Sequence, residues 1–199
     1  MTGTVPREMI KDSGARRQTI IDTLSLAFAD DPAMMFLKPD SAARRRMLPR
    51  FFRHMRREDA IAGSVETSAG GEVAALWRAP GHHKDEPLGT VRTTIAFLQI
   101  LGLATPRGMT VGGLMAKHHP QEPHWYLCFL GVRPEAQGKG WGGVALQHGI
   151  ARAEADRLPI YLETATPQNV GLYQRFGFAI VEEWDVPGGG PHFWGMMRR

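Results

Sequence analysis

The sequence predicts an α/β or α+β domain built on a mixed sheet, and three observations lead to that prediction. The chain has 199 residues, a length typical of one domain. Hydrophobic residues make up 43% and charged residues 22% of it, as in globular proteins that fold without disulfides or metals. In the second half of the chain, short apolar strands alternate with helices before a final pair of strands.

Helical spacing of apolar residues predicts two helices in the first third of the chain, at 16–29 and 41–57. Asp31 and Pro32 separate them, because proline disfavours helix in the residue that precedes it. Seven arginines lie within the second helix: Arg44, Arg45, Arg46, Arg50, Arg53, Arg56 and Arg57. Such a run also occurs in nucleic-acid-binding proteins. Here Arg46, Arg50, Arg53 and Arg57 share one face opposite the apolar residues, which favours a solvated stripe on a surface helix.

Further along, the periodicity changes to that of strands and then alternates. The predicted elements are strands at 60–67 and 73–77 joined by a turn at 69–71, helices at 87–103 and 107–118, a strand at 124–132, a helix at 140–155, a strand at 159–164, a helix at 169–175, and strands at 178–183 and 192–197. The strand at 124–132 is the strongest of these, because it is aromatic, apolar and short.

Composition excludes several classes of protein and site. Cys128 is the single cysteine, so the chain can form neither an internal disulfide nor a cysteine-rich zinc site. The adjacent histidine pairs lack the spacing of a metal site, so we expect no metal. No apolar run approaches the roughly 18 residues of a membrane span, and the charged N-terminal segment is unlike a signal peptide. We therefore expect a cytoplasmic protein without a membrane partner.

A glycine-rich turn lies between the strongest strand and the helix that follows it. Its residues are Gln137, Gly138, Lys139, Gly140, Trp141, Gly142 and Gly143. Glycines allow positive φ and close approach, so successive amide groups and the helix N-terminus make this turn a candidate phosphate site, with Lys139 at its rim. The alternative is a turn that only packs the helix tightly on the sheet.

The spacing of these glycines is compatible with more than one phosphate ligand. No Lys-Ser or Lys-Thr pair follows the last glycine, as a Walker loop requires. Gly138, Gly140 and Gly143 do satisfy the dinucleotide pattern, and Glu163 follows at the required distance. However, residues 133–137 separate the strand from the first glycine, and the chain after the loop is too short for a doubly wound dinucleotide fold.

A third pattern fits the loop and a segment near the C-terminus together. Residues 132–142 resemble the acetyl-CoA loop of the GNAT acetyltransferase superfamily, whose signature is Gln or Arg, two residues, Gly, one residue, and Gly or Ala. Residues 169–178 resemble the last helix and strand of that superfamily, in the correct order and spacing. Further segments resemble the puromycin N-acetyltransferase branch, at 27–32, 39–40, 118–123, 161–164 and 193–197.

The resemblance implies a single GNAT-like domain over residues 1–199, with a mixed, mostly antiparallel central sheet flanked by helices. It places substrate-side helices in residues 1–120 and the acetyl-CoA-binding and catalytic half in residues 121–199. Acetyl-CoA is the implied co-substrate, with no metal. Besides the glycine-rich turn, the implied cofactor-binding residues are Leu130, Gly131, Val132, Asn169 and Tyr173. Residues 130–132 would offer backbone groups to pantetheine where their strand splays from its neighbour.

Four residues are candidates for the chemistry itself. Tyr173 and Asn169 project from one helix face, and the resemblance implies that Tyr173 protonates the leaving thiolate. Asn169 either caps its helix or contacts the pantetheine arm. Glu163 either collects the amine proton or only orients the ammonium group. Cys128 could accept the acetyl group, but its apolar neighbours favour an inert buried thiol.

Candidate substrate residues are Phe28, Asp31, Phe36, Trp125 and Glu163. The aromatic ones can equally belong to the core, and Asp31 can be a turn residue. We therefore predict an N-acetyltransferase that moves an acetyl group to a primary amine of a small molecule by direct transfer in a ternary complex, with no nucleic-acid partner. Two alternatives stay open: a non-catalytic CoA-binding sensor on the same fold, and an acetyltransferase of protein amines. The sequence indicates no oligomeric state.

Overall fold

The computed structural model describes residues 7–82 and 91–199, with residues 91–93 described as helix without their side chains. Within these ranges one sheet organises the protein, in the order β1-β2-β3-β4-β5-β7-β6. Its strands are β1 (Ile10–Lys11), β2 (Gly63–Thr67), β3 (Val73–Arg78), β4 (Trp125–Val132), β5 (Ile160–Thr164), β6 (Ala179–Asp185) and β7 (His192–Arg198). β4 and β5 run parallel, and the other neighbouring strands run antiparallel. The predicted mixed, mostly antiparallel sheet is confirmed.

Helices cover both faces of this sheet. In the described part of the chain they are α1 (Arg17–Ala27), α2 (Pro32–Leu37), α3 (Ser41–Ala62), α4 (Val91–Leu101), α5 (Thr105–His118), α6 (Trp141–Asp156) and α7 (Pro167–Arg175). Apolar residues of α1, α2 and α3 form one core with Leu76, and residues of α6 and α7 form a second core with Trp77. Adjacent strand residues point to opposite faces, so β3 contributes to both cores. None of the described helices is both long and apolar enough to cross a bilayer.

Most elements lie within about two residues of their predicted bounds. The prediction was wrong at residues 60–62, which form the last turn of α3 instead of the start of β2. A tertiary contact explains this, because Asp59 of the last turn accepts a 2.6 Å hydrogen bond from Arg78 of β3. The sequence analysis also missed α2, which begins directly after the predicted break, and the two-residue β1. The helix predicted at 87–103 begins outside the described residues.

The arginine-rich helix exposes the predicted stripe, since Arg46, Arg50, Arg53 and Arg57 all face solvent. Two further arginines of α3 are buried and serve the fold. Arg44 donates to the carbonyl oxygens of Lys38 and Pro39 and pairs with Asp30 at 3.3 Å, while Arg56 pairs with Asp12. These contacts tie the segments on either side of α1 and α2 to α3, which fixes one wall of the cavity described below.

Two irregularities of β4 shape the centre of the molecule. The register between β3 and β4 shifts by one residue, because Leu76 pairs with Phe129 whereas Trp77 pairs with Leu127. Cys128 is therefore the extra residue of a β-bulge. The parallel pairing of β4 with β5 ends at Leu127 and Leu162, although both strands continue further. The predicted splay between these strands is confirmed.

Candidate functional site

A cavity of about 520 Å³ lies between the sheet and helices α1 to α5, and it extends to the point where β4 and β5 diverge. Its walls are mostly apolar, with the aromatic and methionine side chains Phe28, Met34, Phe51, Met55, Phe97, Met115, Phe129 and Phe193. Three carboxylates interrupt this surface: Asp31, Glu58 and Glu163. Apolar walls with a few convergent polar groups are typical of small-molecule sites. We call this space the amine cavity, after the substrate class that the sequence analysis predicts.

Glu163 lies near the end of β5, and its side chain is only 1% exposed. The Tyr126 hydroxyl donates a 2.6 Å hydrogen bond to its Oε2 atom. Its Oε1 atom is buried without a hydrogen-bond partner among the described residues and lies 3.7 Å from Nδ1 of His119. Burial and the neighbouring Glu163 charge raise the pKa of Tyr126, so its phenol stays protonated and remains a donor. Glu163 is therefore a buried group, although it lies near the end of its strand.

Tyr173 lies near the end of α7 and lines the same cavity from the side of the divergent strands. It is buried, and burial together with the charge of Asp31 raises the pKa of its phenol. The hydroxyl is therefore fully protonated at neutral pH. Asn169 also lines the cavity, which confirms the predicted shared helix face. Thr166, not Asn169, is the N-cap residue of α7, so the capping role suggested for Asn169 is wrong.

Asp31 is a turn residue, as one of its two interpretations expected, and its side chain also reaches the cavity. As N-cap of α2 it accepts hydrogen bonds from the backbone of Ala33 at 3.0 Å and Met34 at 3.1 Å. It also lines the amine cavity. Burial raises the pKa of this carboxyl despite those hydrogen bonds. The turn role thus holds the carboxylate beside Tyr173.

Cys128, the bulge residue, packs against the first core as the sequence suggested, and it also has polar neighbours. Its sulfur lies 3.9 Å from Oδ1 of Asp59, which is fully buried and paired with Arg78. Burial and the Asp59 charge raise the pKa of the Cys128 thiol well above its usual range. Because the thiolate is the nucleophilic form, this environment favours an inert cysteine.

The glycine-rich turn has the backbone conformation expected of an anion site. Gly138 and Gly140 have φ values of +71° and +84°, a conformation that favours glycine. Gly140 is the N-cap of α6 and makes no side-chain capping hydrogen bond. The first amides of α6 are thus directed at the turn without an internal partner, as phosphate binding requires. Lys139 is exposed at the rim.

The other glycines of this region have packing roles as well. A Cβ atom at Gly143 would lie 3.0 Å from the ring of Phe176, so this glycine lets α6 approach α7. At Gly131 a Cβ atom would lie 2.8 Å from Ala27 on α1. A Cβ atom at Gly142 would lie 3.7 Å from Val132, which is an ordinary van der Waals distance. Within the glycine-rich turn, the tight-packing alternative therefore applies to Gly143, whereas Gly138 and Gly140 have space around them and stay candidates for the anion site.

The remaining predicted residues divide between the two faces of the sheet. Leu130 and Val132 pack in the second core, on the side of α6, and Leu130 also reaches the amine cavity. Trp141 lies half-buried at the start of α6, under the guanidinium of Arg7 at 5.5 Å. Phe28 and Asp31 line the amine cavity as predicted.

Two predicted substrate residues lie elsewhere. Trp125 is on the opposite face of the sheet, where its indole donates to Asp156 at 2.8 Å and stacks under Arg152. The reason is strand alternation, because Tyr126, the next residue of β4, faces the cavity. Phe36 packs beneath Arg107 on α5 and is not part of the cavity wall. Neither residue lines the amine cavity, contrary to the prediction that they share a pocket with Phe28 and Asp31.

Sequence reasoning missed several residues that the structure brings to the cavity. They are His54, Glu58, Arg78, His119 and Tyr126. The approach of His119 and Tyr126 to Glu163 follows from the parallel register of β4 and β5, in which Tyr126 pairs with Tyr161. The pattern of apolar residues within one segment cannot predict the register between two strands. No group of three metal-ligating side chains occurs among residues 7–82 and 91–199.

Comparison with known proteins agrees with this geometry. The model of the family described as Acetyltransferase (GNAT) matches residues 76–178, just over half of the chain. An uncharacterised N-acetyltransferase of Schizosaccharomyces pombe is 24% identical over 191 residues, which cover 86% of this chain and 72% of that protein. Mycothiol acetyltransferase of Streptomyces avermitilis is 37% identical over 83 residues, 40% of this chain; the match spans only 27% of that enzyme.

Solved structures extend the likeness to the whole fold. A Corynebacterium glutamicum protein described as histone acetyltransferase HPA2 and related acetyltransferase has a TM-score of 0.74 and 28% identity, covering 96% of this chain and 94% of that chain. Arylalkylamine N-acetyltransferase 2 of Aedes aegypti shares the fold, with a TM-score of 0.57 and 12% identity over 96% of this chain and 97% of that chain. Because the family model matches more than half of the sequence, the chain belongs to the GNAT family of acetyltransferases and is an acetyl-CoA-dependent acyltransferase.

Proposed function

We propose that this protein transfers the acetyl group of acetyl-CoA to a primary amine of a small molecule, directly and within a ternary complex. The observation that supports this most is that a buried carboxylate, Glu163, and a buried phenol, Tyr173, line one cavity at the divergence of β4 and β5. Amine acetylation needs a group on each side of the thioester: one to accept a proton from the amine, and one to protonate the sulfur.

The proposed acetyl-CoA site follows the chain from the divergent strands to the glycine-rich turn. Its pyrophosphate would accept hydrogen bonds from the amides of residues 137–143, with Lys139 at the rim. Its pantetheine arm would pass between β4 and β5, beside the backbone of residues 130–132 and the side chain of Asn169. Two features fit such a ligand: the positive φ values of the turn glycines, and the absence of a side-chain cap at the start of α6. The bound thioester supplies the acetyl group and a thiolate leaving group.

The amine would occupy the cavity on the other side of the sheet, among residues contributed by α1 to α5. In this arrangement the Tyr173 hydroxyl donates its proton to the departing sulfur. Its protonated state at neutral pH follows from its burial and from the nearby Asp31 charge. Glu163 holds the ammonium group, and backbone amides near Leu130 can polarise the acetyl carbonyl. The substrate-side and acetyl-CoA-side halves of the chain thus meet at β4.

The shape and chemistry of the cavity support a small amphipathic amine. A volume of about 520 Å³ lies within the range of drug-sized ligands. The phenylalanine and methionine walls suit an apolar or aromatic body, and the carboxylates suit a cation. A protein amine would need an open groove for its polypeptide, whereas α2 to α5 lie over this space. The resemblance to the puromycin N-acetyltransferase branch and the cytoplasmic location stay predictions.

The test is to measure CoA release from acetyl-CoA on a panel of arylalkylamines, polyamines and short peptides with free N-termini, with mass spectrometry of the products. Acetyl-CoA affinity is measured in parallel by calorimetry. We expect turnover of amines with an apolar body and intersecting initial-rate lines. Tight acetyl-CoA binding without turnover of any amine would favour the sensor alternative, and preferred acetylation of peptides would favour the protein-directed one.

A further inference from the structure

Arg78, the last residue of β3, contributes a guanidinium group to the wall of the amine cavity. Apart from histidines, the other ionisable side chains that line this cavity in the described part of the chain are acids or neutral groups. The Arg78 side chain is only 19% exposed, so its charge is mostly shielded from solvent. A guanidinium group keeps its charge throughout the pH range in which proteins fold, and a shielded charge needs polar partners.

Asp59 is the partner of Arg78 inside the protein. Its Oδ1 atom accepts a 2.6 Å hydrogen bond from Nε of Arg78, and its side chain is fully buried and does not line the cavity. The Oδ2 atom of Asp59 has no hydrogen-bond partner among the described residues. The contact is therefore a single hydrogen bond and not the paired contact of a bidentate arginine–carboxylate interaction. This ion pair presents its positive end to the cavity.

The two terminal nitrogens of Arg78 make no hydrogen bond within residues 7–82 and 91–199. Most N–H donors of the guanidinium fork are therefore open to the cavity. The bond from Nε to Asp59 holds this fork in place before any ligand binds. The planar fork matches the two oxygens of a carboxylate, and such charge-assisted bonds are stronger than neutral ones. An oriented, unfilled fork in a mostly apolar wall is thus suited to bind an anionic group.

The register of the sheet places Arg78 and Glu163 on either side of Tyr126, and all three residues line the cavity. Arg78 pairs with Tyr126 across β3 and β4, and the Tyr126 hydroxyl donates to Glu163 on β5. The two charged residues are thus two strands apart, which separates their backbones by roughly 10 Å. A ligand that contacts both must therefore carry its positive and negative groups several bonds apart.

The surface between these two charges is neutral. Tyr126 and Cys128 line the cavity there, and burial raises the pKa of both groups, so the phenol and the thiol stay protonated. Both groups lie within the electrostatic reach of Arg78, which lowers the pKa of each, and of Glu163, which raises it. An uncharged linker between the two ends of a ligand would lie along this stretch.

We propose that the acceptor substrate is an amine that also carries a carboxylate several bonds from its nitrogen, and that Arg78 binds this carboxylate while Glu163 holds the ammonium group. The inference rests on the proposed acetylation of an amine and adds the feature that selects among amines. Arg78 is thus a specificity-determining residue without a part in proton transfer. The apolar walls of the cavity contact the linker between the two charged groups.

Glu58 supports a rival substrate, a diamine. It lies on α3 beside Asp59, lines the cavity, and would attract a second ammonium group. However, Glu58 is only half-buried, so water can hydrate its carboxylate. The fork of Arg78 is more shielded and is already held by Asp59, so its open donors gain more from a ligand. The arrangement of charges therefore favours a carboxylate at this end of the cavity.

The test uses three amines that share one chain and differ at its far end: ε-aminocaproate, its neutral isostere ε-aminocaproamide, and the diamine cadaverine. We expect kcat/KM to be about 10–100-fold higher for the acid than for the amide, mainly through the KM for the amine. Arg78→Lys keeps a cation for Asp59 but has no fork, so this preference should fall to about threefold or less. Arg78→Met combined with Asp59→Asn leaves no buried charge unpaired and should abolish it. Arg53→Met, on the exposed stripe of α3, is the matched control and should keep it.

Equal kcat/KM for the acid and the amide would overturn the inference, as would a preference that persists unchanged in either Arg78 variant with native circular dichroism. A preference for cadaverine that disappears in Glu58→Gln would assign the second charged group of the substrate to Glu58 and overturn it too. Calorimetry of the CoA-bound protein with the same three amines separates this inference from the proposed function. Turnover without a preference for the acid refutes only the role of Arg78, whereas Arg78-dependent binding of the acid without turnover of any amine refutes only the acetylation.

Discussion

Replacing Tyr173 with phenylalanine removes one oxygen atom from the wall of the amine cavity and leaves the ring in place. That ring packs against Phe178, with 5.8 Å between centroids, and its hydroxyl has no hydrogen-bond partner among the described residues. The substitution therefore keeps the packing and leaves no buried partner unsatisfied. We expect the free energy of unfolding to change by less than about 0.5 kcal/mol.

The expected effect on catalysis is much larger than the effect on stability. Loss of a positioned proton donor lowers kcat by roughly 10²–10⁴-fold, which corresponds to about 2.7–5.4 kcal/mol of transition-state stabilisation. Burial and the Asp31 charge raise the pKa of the phenol, so the wild-type donor stays protonated through neutral and mildly alkaline pH. The ratio of wild-type to variant kcat should therefore be constant over that range.

The assay follows thiol release with a chromogenic disulfide, at saturating acetyl-CoA and amine. Calorimetry with CoA and urea denaturation separate binding and stability from chemistry. Ser25→Ala is a suitable control, because it removes a buried hydroxyl that has no hydrogen-bond partner among the described residues, at a site outside the cavity wall. A Tyr173→Phe protein that is folded and retains kcat within about threefold of the wild type would refute proton donation by Tyr173.

Three further predictions concern the anion site, the buried acid and the bulge. Gly140→Val, at a φ of +84°, should raise the KM for acetyl-CoA about tenfold or more, because valine adds backbone strain of about 1–3 kcal/mol there. Lys139→Ala should cause a small loss of acetyl-CoA affinity that disappears at high salt. Initial rates measure both effects. Burial raises the pKa of Asp59 to about 6 from an unfolded value near 3.8. The free energy of unfolding of the wild type should therefore fall as pH rises from about 4 to 6, by at most about 3 kcal/mol. Urea denaturation of the wild type and of Asp59→Asn measures this difference. An identical pH slope in both proteins would contradict that. Cys128→Ala should keep near-normal turnover. An inactive Cys128→Ala protein, together with parallel initial-rate lines for the wild type, would instead indicate an acetyl-cysteine intermediate.

The parts of the site that the sequence predicted well are those encoded within one element. The positive-φ turn around Gly138 and Gly140 and the shared face of Asn169 and Tyr173 both depend on residues a few positions apart. Local spacing determines such arrangements, because helix geometry and glycine conformations act over one or two turns of chain. The same reasoning found the break before α2, although it missed the short helix that Asp31 begins.

The parts that it missed depend on contacts between distant segments. Trp125 and Tyr126 are both aromatic and adjacent, so nothing in the sequence says which of them faces the substrate side. The tertiary packing determines this, because the helices that cover each face of the sheet determine which face encloses the cavity. His119 illustrates the same limit, because it reaches Glu163 only through the path of the chain from α5 to β4 and the register of β4 on β5.

The bulge at Cys128 determines which residues of β4 face each side of the sheet. Tyr126 and Cys128 face the amine cavity, as alternation requires, and the extra residue then lets Phe129 face it too. A regular strand would direct Phe129 toward α6 and Leu130 toward the helices on the amine side. With the bulge, Leu130 packs with the second core, at a point where β4 no longer pairs with β5. The gap between the strands therefore opens where the aromatic wall of the amine cavity ends. If the proposed function is correct, the insertion of this single residue is what lets the amine and the thioester meet at one point of the sheet.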